Sequence, residues 1–227
     1  MKFPVLIINF KTYPSATGKR AEHLAEICNQ VARETGKSIM IAVQATDISQ
    51  ITKKVKIPVL AQHFEALEPG RNTGSVLAEA IKSAGAFGSL LNHSEHQIDV
   101  ETLKKAIKKA EELNLKTIVC AKNVTKAKQV AKLEPDVIAI EPPELISGKT
   151  SVSEAKPELI IKAVKAVHKT HNLPVLCGAG VHDSKDVRKA LELGAKGVLV
   201  ASAVCKSYSP EHVIRAVSYT HLTLPTN

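Results

Sequence analysis

Short runs of unbroken apolar residues alternate along the chain with longer stretches in which apolar positions recur every three or four residues. The apolar runs are Val5–Ile8, Ile39–Val43, Val59–Ala61, Phe87–Leu91, Thr117–Cys120, Val137–Ile140, Val175–Cys177 and Gly197–Val200. They are continuous rather than alternating, the pattern of parallel strands covered on both faces. The stretches between them read as amphipathic helices. Ala21–Thr35 sets Leu24, Ile27, Cys28 and Val31 on one face, and Thr102–Leu113 sets Leu103, Ala106, Ile107 and Ala110 opposite a lysine face. Gly36, Gly85 and Gly194 fall where helices should stop, and Pro58 and Pro174 stand just before strands, where a missing amide donor costs least.

Eight such repeats in 227 residues take about 28 residues each, the arithmetic of a single α/β (β/α)8 barrel. A doubly wound sheet is the competing architecture, but it rarely repeats so evenly, and no G-x-G-x-x-G opens the first helix. No linker or shift in composition splits residues 1–217, which are expected to form one barrel. Residues 218–227 break the texture. They are Thr-rich, uncharged and aperiodic, and are expected to lie outside the barrel as a non-native-looking tail whose removal leaves activity unchanged.

Composition narrows the function classes. Aromatic residues make up 3% of the chain, with no Trp, so the core is aliphatic and stacking platforms for single-stranded nucleic acid are not expected. The net charge of +9 comes from scattered lysines rather than a dense basic run. It fits a solvated lysine-rich surface or a field that draws anionic substrates such as phosphates, and charge alone does not choose. Cys28, Cys120, Cys177 and Cys205 are far apart without C-x-x-C spacing, so neither zinc nor a disulfide framework is expected. The N-terminal apolar run ends at Asn9, too short for a signal peptide or membrane span, and a cytoplasmic protein without membrane or nucleic-acid partners is the default.

In such barrels the chemistry sits at the C-terminal ends of the strands. Asn9 and Lys11 follow strand one; Asn92, His93, Ser94 and Glu95 follow strand four; Glu141, Pro142, Pro143 and Glu144 follow strand six; Gly178-Ala179-Gly180 follows strand seven; Ala201-Ser202 follows strand eight. Singly, each has a plainer role: a surface lysine, a turn-satisfying imidazole, a carboxylate opening a helix, glycines that permit a tight turn, a serine N-cap. Together they bring a carboxylate, an imidazole and an ammonium to one rim, beside small-residue loops suited to cradling a phosphate. A carboxylate there can abstract a carbon-bound proton while a neutral imidazole donates to a carbonyl oxygen and an ammonium stabilises the developing charge. That chemistry needs no metal or cofactor.

At these residues the chain resembles the triosephosphate isomerase family. Asn9-Phe10-Lys11 resembles the family's N-x-K, Asn92-His93-Ser94-Glu95 its histidine motif, and Ile140–Ile146 its catalytic glutamate and lid hinge. Cys177–Val181 and Val200–Ser202 resemble its phosphate loops. The five matches follow barrel order and span residue 5 to about 217; the short length resembles the compact archaeal branch. The resemblance implies interconversion of dihydroxyacetone phosphate and D-glyceraldehyde 3-phosphate through an enediolate, a step of glycolysis and gluconeogenesis. It makes Glu141 the base, His93 the neutral electrophile, Lys11 the stabiliser of enediolate and phosphate, and Asn9 a donor to a substrate oxygen. The family is itself the standard worked case of such pKa tuning. Ile146, Ser147, Gly148, Gly178, Gly180, Ala201 and Ser202 would hold the phosphate.

Glu95 would back the catalytic residues or, equally, be a carboxylate at the start of the next helix. Residues 142 to about 150 would close as a lid that excludes water. Ser147 stands where the family often has glycine, and Ala201 where many members have glycine. The segment 62–74 is long for a βα loop. In the family it docks into a neighbouring subunit with a threonine at its tip, here Thr73, which implies a homodimer or homotetramer. Two rivals remain open at this point: another phosphate-binding barrel enzyme, such as a lyase or synthase, and a non-catalytic barrel that binds sugar phosphates or a protein.

Overall fold

The computed structural model describes residues 1–143, 151 and 157–219. Its strands are β1 Val5–Asn9, β2 Ser38–Val43, β3 Val59–Ala61, β4 Gly88–Leu91, β5 Lys116–Ala121, β6 Val137–Ile140, β7 Val175–Cys177 and β8 Gly197–Val200. They are parallel and close into a barrel in sequence order, β8 pairing back onto β1. The described helices are α1 Lys19–Thr35, α2 Ala45–Thr52, α3 Ala78–Ser83, α4 Val100–Glu112, α5 Val124–Ala131, α6 Pro157–His168, α7 Ser184–Glu192, α8 Ser202–Cys205 and α9 Pro210–Tyr219. The chain is thus a (β/α)8 barrel, each apolar run a strand to within one residue at either end. The run at Phe87 starts as a strand only at Gly88, and the Phe87 ring packs with the cluster inside the barrel.

Side chains in a strand alternate faces, and here both faces are apolar. Val5 and Ile7, Met40 and Ala42, Ile118 and Cys120, Val137 and Ala139, with Leu60, Leu90, Leu176 and Leu199, fill the barrel. Leu6 and Ile8, Ile39 and Ile41, Ile138 and Ile140 pack outward beneath the helices. This double coverage explains the unbroken apolar runs. The helices present the predicted stripes, with Leu103, Ala106, Ile107 and Ala110 of α4 all buried. Gly36 closes α1 in the left-handed conformation at φ 68°, its N–H donating to Ala32 O.

The texture break at residue 218 does not end the last helix. Helix α9 continues to Tyr219, and Ser218 is fully buried. A small hydroxyl residue keeps the helical path where composition suggested a break, because burial against the barrel outweighs weak helix propensity. Residues 220–227 of the tail lie outside the described residues. Among the described residues, no helix is long and apolar enough to cross a membrane.

The parity of the inner face holds to the strand ends and just beyond them. Two residues beyond Ile7 is Asn9, beyond Ala139 is Glu141, beyond Leu176 is Gly178 and beyond Leu199 is Ala201. Strand periodicity alone therefore aims these four positions at the mouth of the barrel.

Closure at the β8–β1 seam depends on Gly197, which pairs with Val5. Its φ is 145°, and a Cβ there would stand 2.1 Å from Val5 O. Gly197→Ala is expected to destabilise the fold by about 3 kcal/mol or more, from backbone overlap added to a disfavoured φ. Urea unfolding checks this, and a loss below about 1 kcal/mol would mean that the seam has slack.

Candidate active site

The strand ends assemble an open cleft of about 590 Å³, lined by Asn9, Lys11, His93, Ser94, Glu141, Gly178, Gly180, Ala201 and Ser202 among others. Strand β1 delivers Asn9, which is buried. Its Oδ1 accepts from the backbone N–H of Lys11 at 2.9 Å. Lys11 itself sits in the left-handed region at φ 48°, a conformation that costs a residue with a Cβ about 1 kcal/mol or more. Gln62, at the end of β3, holds that turn by donating to Lys11 O at 2.8 Å and reaching Asn9 Oδ1 at 3.4 Å. So braced, the Lys11 ammonium meets Glu95 Oε1 at 2.6 Å.

Just past strand β4 stands a second left-handed residue, Asn92, at φ 56°. Its amide fastens the turn at both sides, donating to Cys120 O at 2.9 Å and accepting from the N–H of Ile98 at 3.1 Å. The turn presents His93. The backbone N–H of Glu95 donates to His93 Nδ1 at 3.1 Å, so Nδ1 is the acceptor and a neutral ring carries its proton on Nε2. Burial holds the His93 pKa below its ordinary value, the Lys11 charge adds to this, and Glu95 opposes it. His93 is thus a neutral imidazole whose Nε2 faces Glu141 Oε1 at 3.3 Å.

Glu141 is the most unusual charge in the cleft. It is 3% exposed, and burial pushes its pKa up to about 7. The N–H of Ser94, 3.3 Å from Oε2, the Cys120 thiol and the Lys11 charge oppose the shift, while Glu95 adds to it. A carboxylate that titrates near neutrality, beside a neutral imidazole, can take up and return a proton at ordinary pH.

Across the cleft, Gly180 has φ 70°, a conformation that favours glycine, and Ala201 and Ser202 open the short helix α8. Ser202 is the first residue of α8 rather than its N-cap, which is Ala201. Beyond Gly180 the chain is fixed by the Asp183–Asp186 capping box of α7, whose Asp186 also accepts from the N–H of His182 at 2.9 Å. The N–H of Gly178 is not available to a phosphate: it donates to Ile140 O at 2.9 Å. The helix-start reading of Glu95 is also displaced, since α4 begins at Val100 and is capped by Asp99, which accepts from the N–H of Thr102 at 2.9 Å. Ile146, Ser147, Gly148 and most of the expected lid lie outside the described residues. Among the described residues, no group of three or more His, Cys, Asp and Glu side chains is placed to hold a metal ion.

Gln62 and the Asp183–Asp186 pair were not legible as site residues in the sequence. Gln62 read only as the start of a long loop. The S/T/D-x-x-D/E signature of a capping box, present at Asp183, was the one available signal.

A family model described as triosephosphate isomerase matches residues 4–217. Among curated relatives, the triosephosphate isomerase of Methanobacterium bryantii is 44% identical over 212 residues, covering 93% of this chain and 94% of its own. That of Methanothermus fervidus is 47% identical over 206 residues, covering 90% and 92%. That of Methanocaldococcus jannaschii is 45% identical over 214 residues, covering 93% and 97%.

The burial of Glu141 has a thermodynamic consequence. A carboxylate whose pKa is raised on folding contributes stability below its unfolded pKa and loses it as pH rises through the folded value. The window here runs from the ordinary value of 4.5 to about 7. Glu141→Gln, which cannot ionise, should therefore gain on the parent by about 2–3 kcal/mol between pH 5 and pH 8. Paired urea melts at the two pH values measure the difference, and a constant offset would mean that the carboxylate is not desolvated.

Proposed function

This chain belongs to the triosephosphate isomerase family, and we propose that it interconverts dihydroxyacetone phosphate and D-glyceraldehyde 3-phosphate by moving a proton between C1 and C2. The observation that carries this reading is the pairing of a buried carboxylate, its pKa near 7, with a neutral imidazole 3.3 Å away. In the forward step the Glu141 carboxylate takes a proton from C1. The C–H electrons form the C1=C2 double bond, and the carbonyl oxygen gains the negative charge. The His93 Nε2–H donates to that oxygen, and the Lys11 ammonium stabilises it. A proton then moves from the C1 hydroxyl to the C2 oxygen by way of His93, whose Nε2 gives its proton to the C2 oxygen and takes the one from the C1 oxygen. Protonated Glu141 returns its proton to C2 as the C1 oxygen's electrons form the aldehyde carbonyl, leaving a hydroxyl on C2. A neutral His93 suits this task, because its N–H is matched to the enediolate oxygens and it leaves no fixed cation to pair with Glu141.

Asn9 would orient a substrate oxygen, and Glu95 would hold Lys11 between turnovers. Gly180, Ala201 and Ser202, with the lid residues Ile146, Ser147 and Gly148, would receive the phosphate. Water exclusion by the lid would protect the enediolate from losing phosphate. The reaction asks nothing of a metal or organic cofactor, and it places the protein in glycolysis and gluconeogenesis.

The segment 62–74 supports self-association. Its tip, Pro69–Arg71 with Thr73 and Gly74, is exposed in the single chain, and Asn72 ties the turn by donating to Glu68 O at 2.6 Å. We assign it as the docking loop of a dimer or tetramer, with Thr73 reaching the partner's site. Thr73→Arg should lower the mass seen by sedimentation to that of a monomer and reduce activity with it. A fully active monomer would separate the loop from function.

A coupled assay for glyceraldehyde 3-phosphate formation tests the activity directly. Glu141→Asp should keep the fold and lower kcat by about 10²-fold, since the carboxylate retreats by one methylene. The acid limb of kcat/KM in the parent should fall near pH 7, because only the ionised carboxylate accepts the proton. A folded Glu141→Asp with parental turnover would remove Glu141 from the base role.

A further inference from the structure

The geometry points to Gly178 as a positioning residue for the catalytic carboxylate: its missing side chain is the slot in which the Glu141 stem lies. The inference rests on Glu141 being the base and adds a reason for glycine at the end of β7 other than phosphate binding. Gly178 does not need to be glycine for its backbone. Its φ is not among the positive values that mark Gly180 and six other glycines. Space is what a side chain would lack. A Cβ on Gly178 would stand 2.8 Å from Glu141 Cγ, 3.1 Å from Ile140 O and 3.5 Å from Glu141 Oε1.

Neither partner can easily withdraw. Gly178 is locked to β6 by its N–H bond to Ile140 O at 2.9 Å and by the adjacent Ile140–Cys177 register. Glu141 is held from behind by its own N–H bond to Ala121 O at 2.8 Å, and its head is caught between His93 and the Ser94 N–H. Ordinary contact for a Cβ begins near 3.4 Å, so a methyl group would push the Glu141 stem by about 0.6 Å, toward the open cleft. That displacement is of the order at which positioning is lost, where about 1 Å can cost 10²-fold in rate. It would also let water reach the carboxylate.

Gly178→Ala should therefore lower kcat by about 10- to 100-fold while KM and the inhibition constant of inorganic phosphate stay within about threefold of the parent. The acid limb of its pH profile should move to lower pH, the direction of a carboxylate that regains solvent. Unchanged kcat with weakened phosphate binding would instead make Gly178 part of the phosphate cradle and overturn the inference. A melting cycle tests the contact without any activity. Gly178→Ala should lower Tm in the parent but much less in a Glu141→Ala background, where Cγ is gone. Additive losses would overturn the inference, as would failure of the double variant to fold if the single variant does not fold. Absence of isomerase activity in the parent would sink the functional reading instead, and the melting cycle would still report on the slot.

Discussion

A carboxylate placed where water cannot reach it governs this site. Glu141 follows an inward-facing alanine by two residues on β6, so strand parity carries it to the throat of a barrel already filled with aliphatic side chains. Desolvation there favours the neutral acid and lifts the pKa to about 7. Chemistry and cost have the same origin. A carboxylate of ordinary pKa would be a weaker base near neutrality, and one buried deeper would stay protonated. Its setting lies between these limits because the Ser94 N–H, the Cys120 thiol and the distant Lys11 charge return part of what burial removes.

The neighbours are arranged around the same requirement. A cationic imidazole at 3.3 Å would pair with Glu141 and pull its pKa back down. His93 stays neutral because burial, the Lys11 charge and the backbone donation from Glu95 to Nδ1 all disfavour a second ring proton. Lys11 supplies positive charge from farther away, and it does so from a left-handed backbone position that Asn9 and Gln62 stabilise. Two left-handed residues that are not glycine, Lys11 and Asn92, thus flank the cleft, each fastened by side-chain amides. Strain of this kind persists only where surrounding bonds over-determine it.

Much of this was legible in the residues because barrel architecture converts local pattern into position. Continuous apolar runs marked the strands, and the one or two residues after each run are by construction on the rim, so Asn9, His93, Glu141 and Ser202 could be placed without coordinates. What parity and spacing do not encode is who touches whom. Gln62 looked like loop because its partners, Asn9 and Lys11, are about 50 positions away in sequence. Glu95 read equally as a helix-start carboxylate because its partner Lys11 is 84 positions away in sequence, while α4 begins only at Val100. Gly178 read as a phosphate donor because sequence does not reveal that its N–H is already bonded to Ile140 O. Ser218 read as tail because propensity was weighed without the packing that buries it.

The two glycines of the strand-seven loop show how one residue type answers two different physical demands within three positions. At Gly180 the backbone is left-handed, and any Cβ would be strained whatever the space around it. At Gly178 the φ is not left-handed, and the obstruction is the Glu141 stem, with Ile140 O beside it. The first demand belongs to the loop that runs on toward α7, the second to the carboxylate whose stem lies beside the Gly178 backbone. A substitution at either site thus perturbs a different quantity: loop shape at Gly180, and the placement and hydration of the Glu141 carboxylate at Gly178. The slot and the raised pKa are then linked, since a carboxylate that packs against bare backbone can be both buried and within 3.3 Å of the imidazole. A side chain at Gly178 would force a choice between those two conditions.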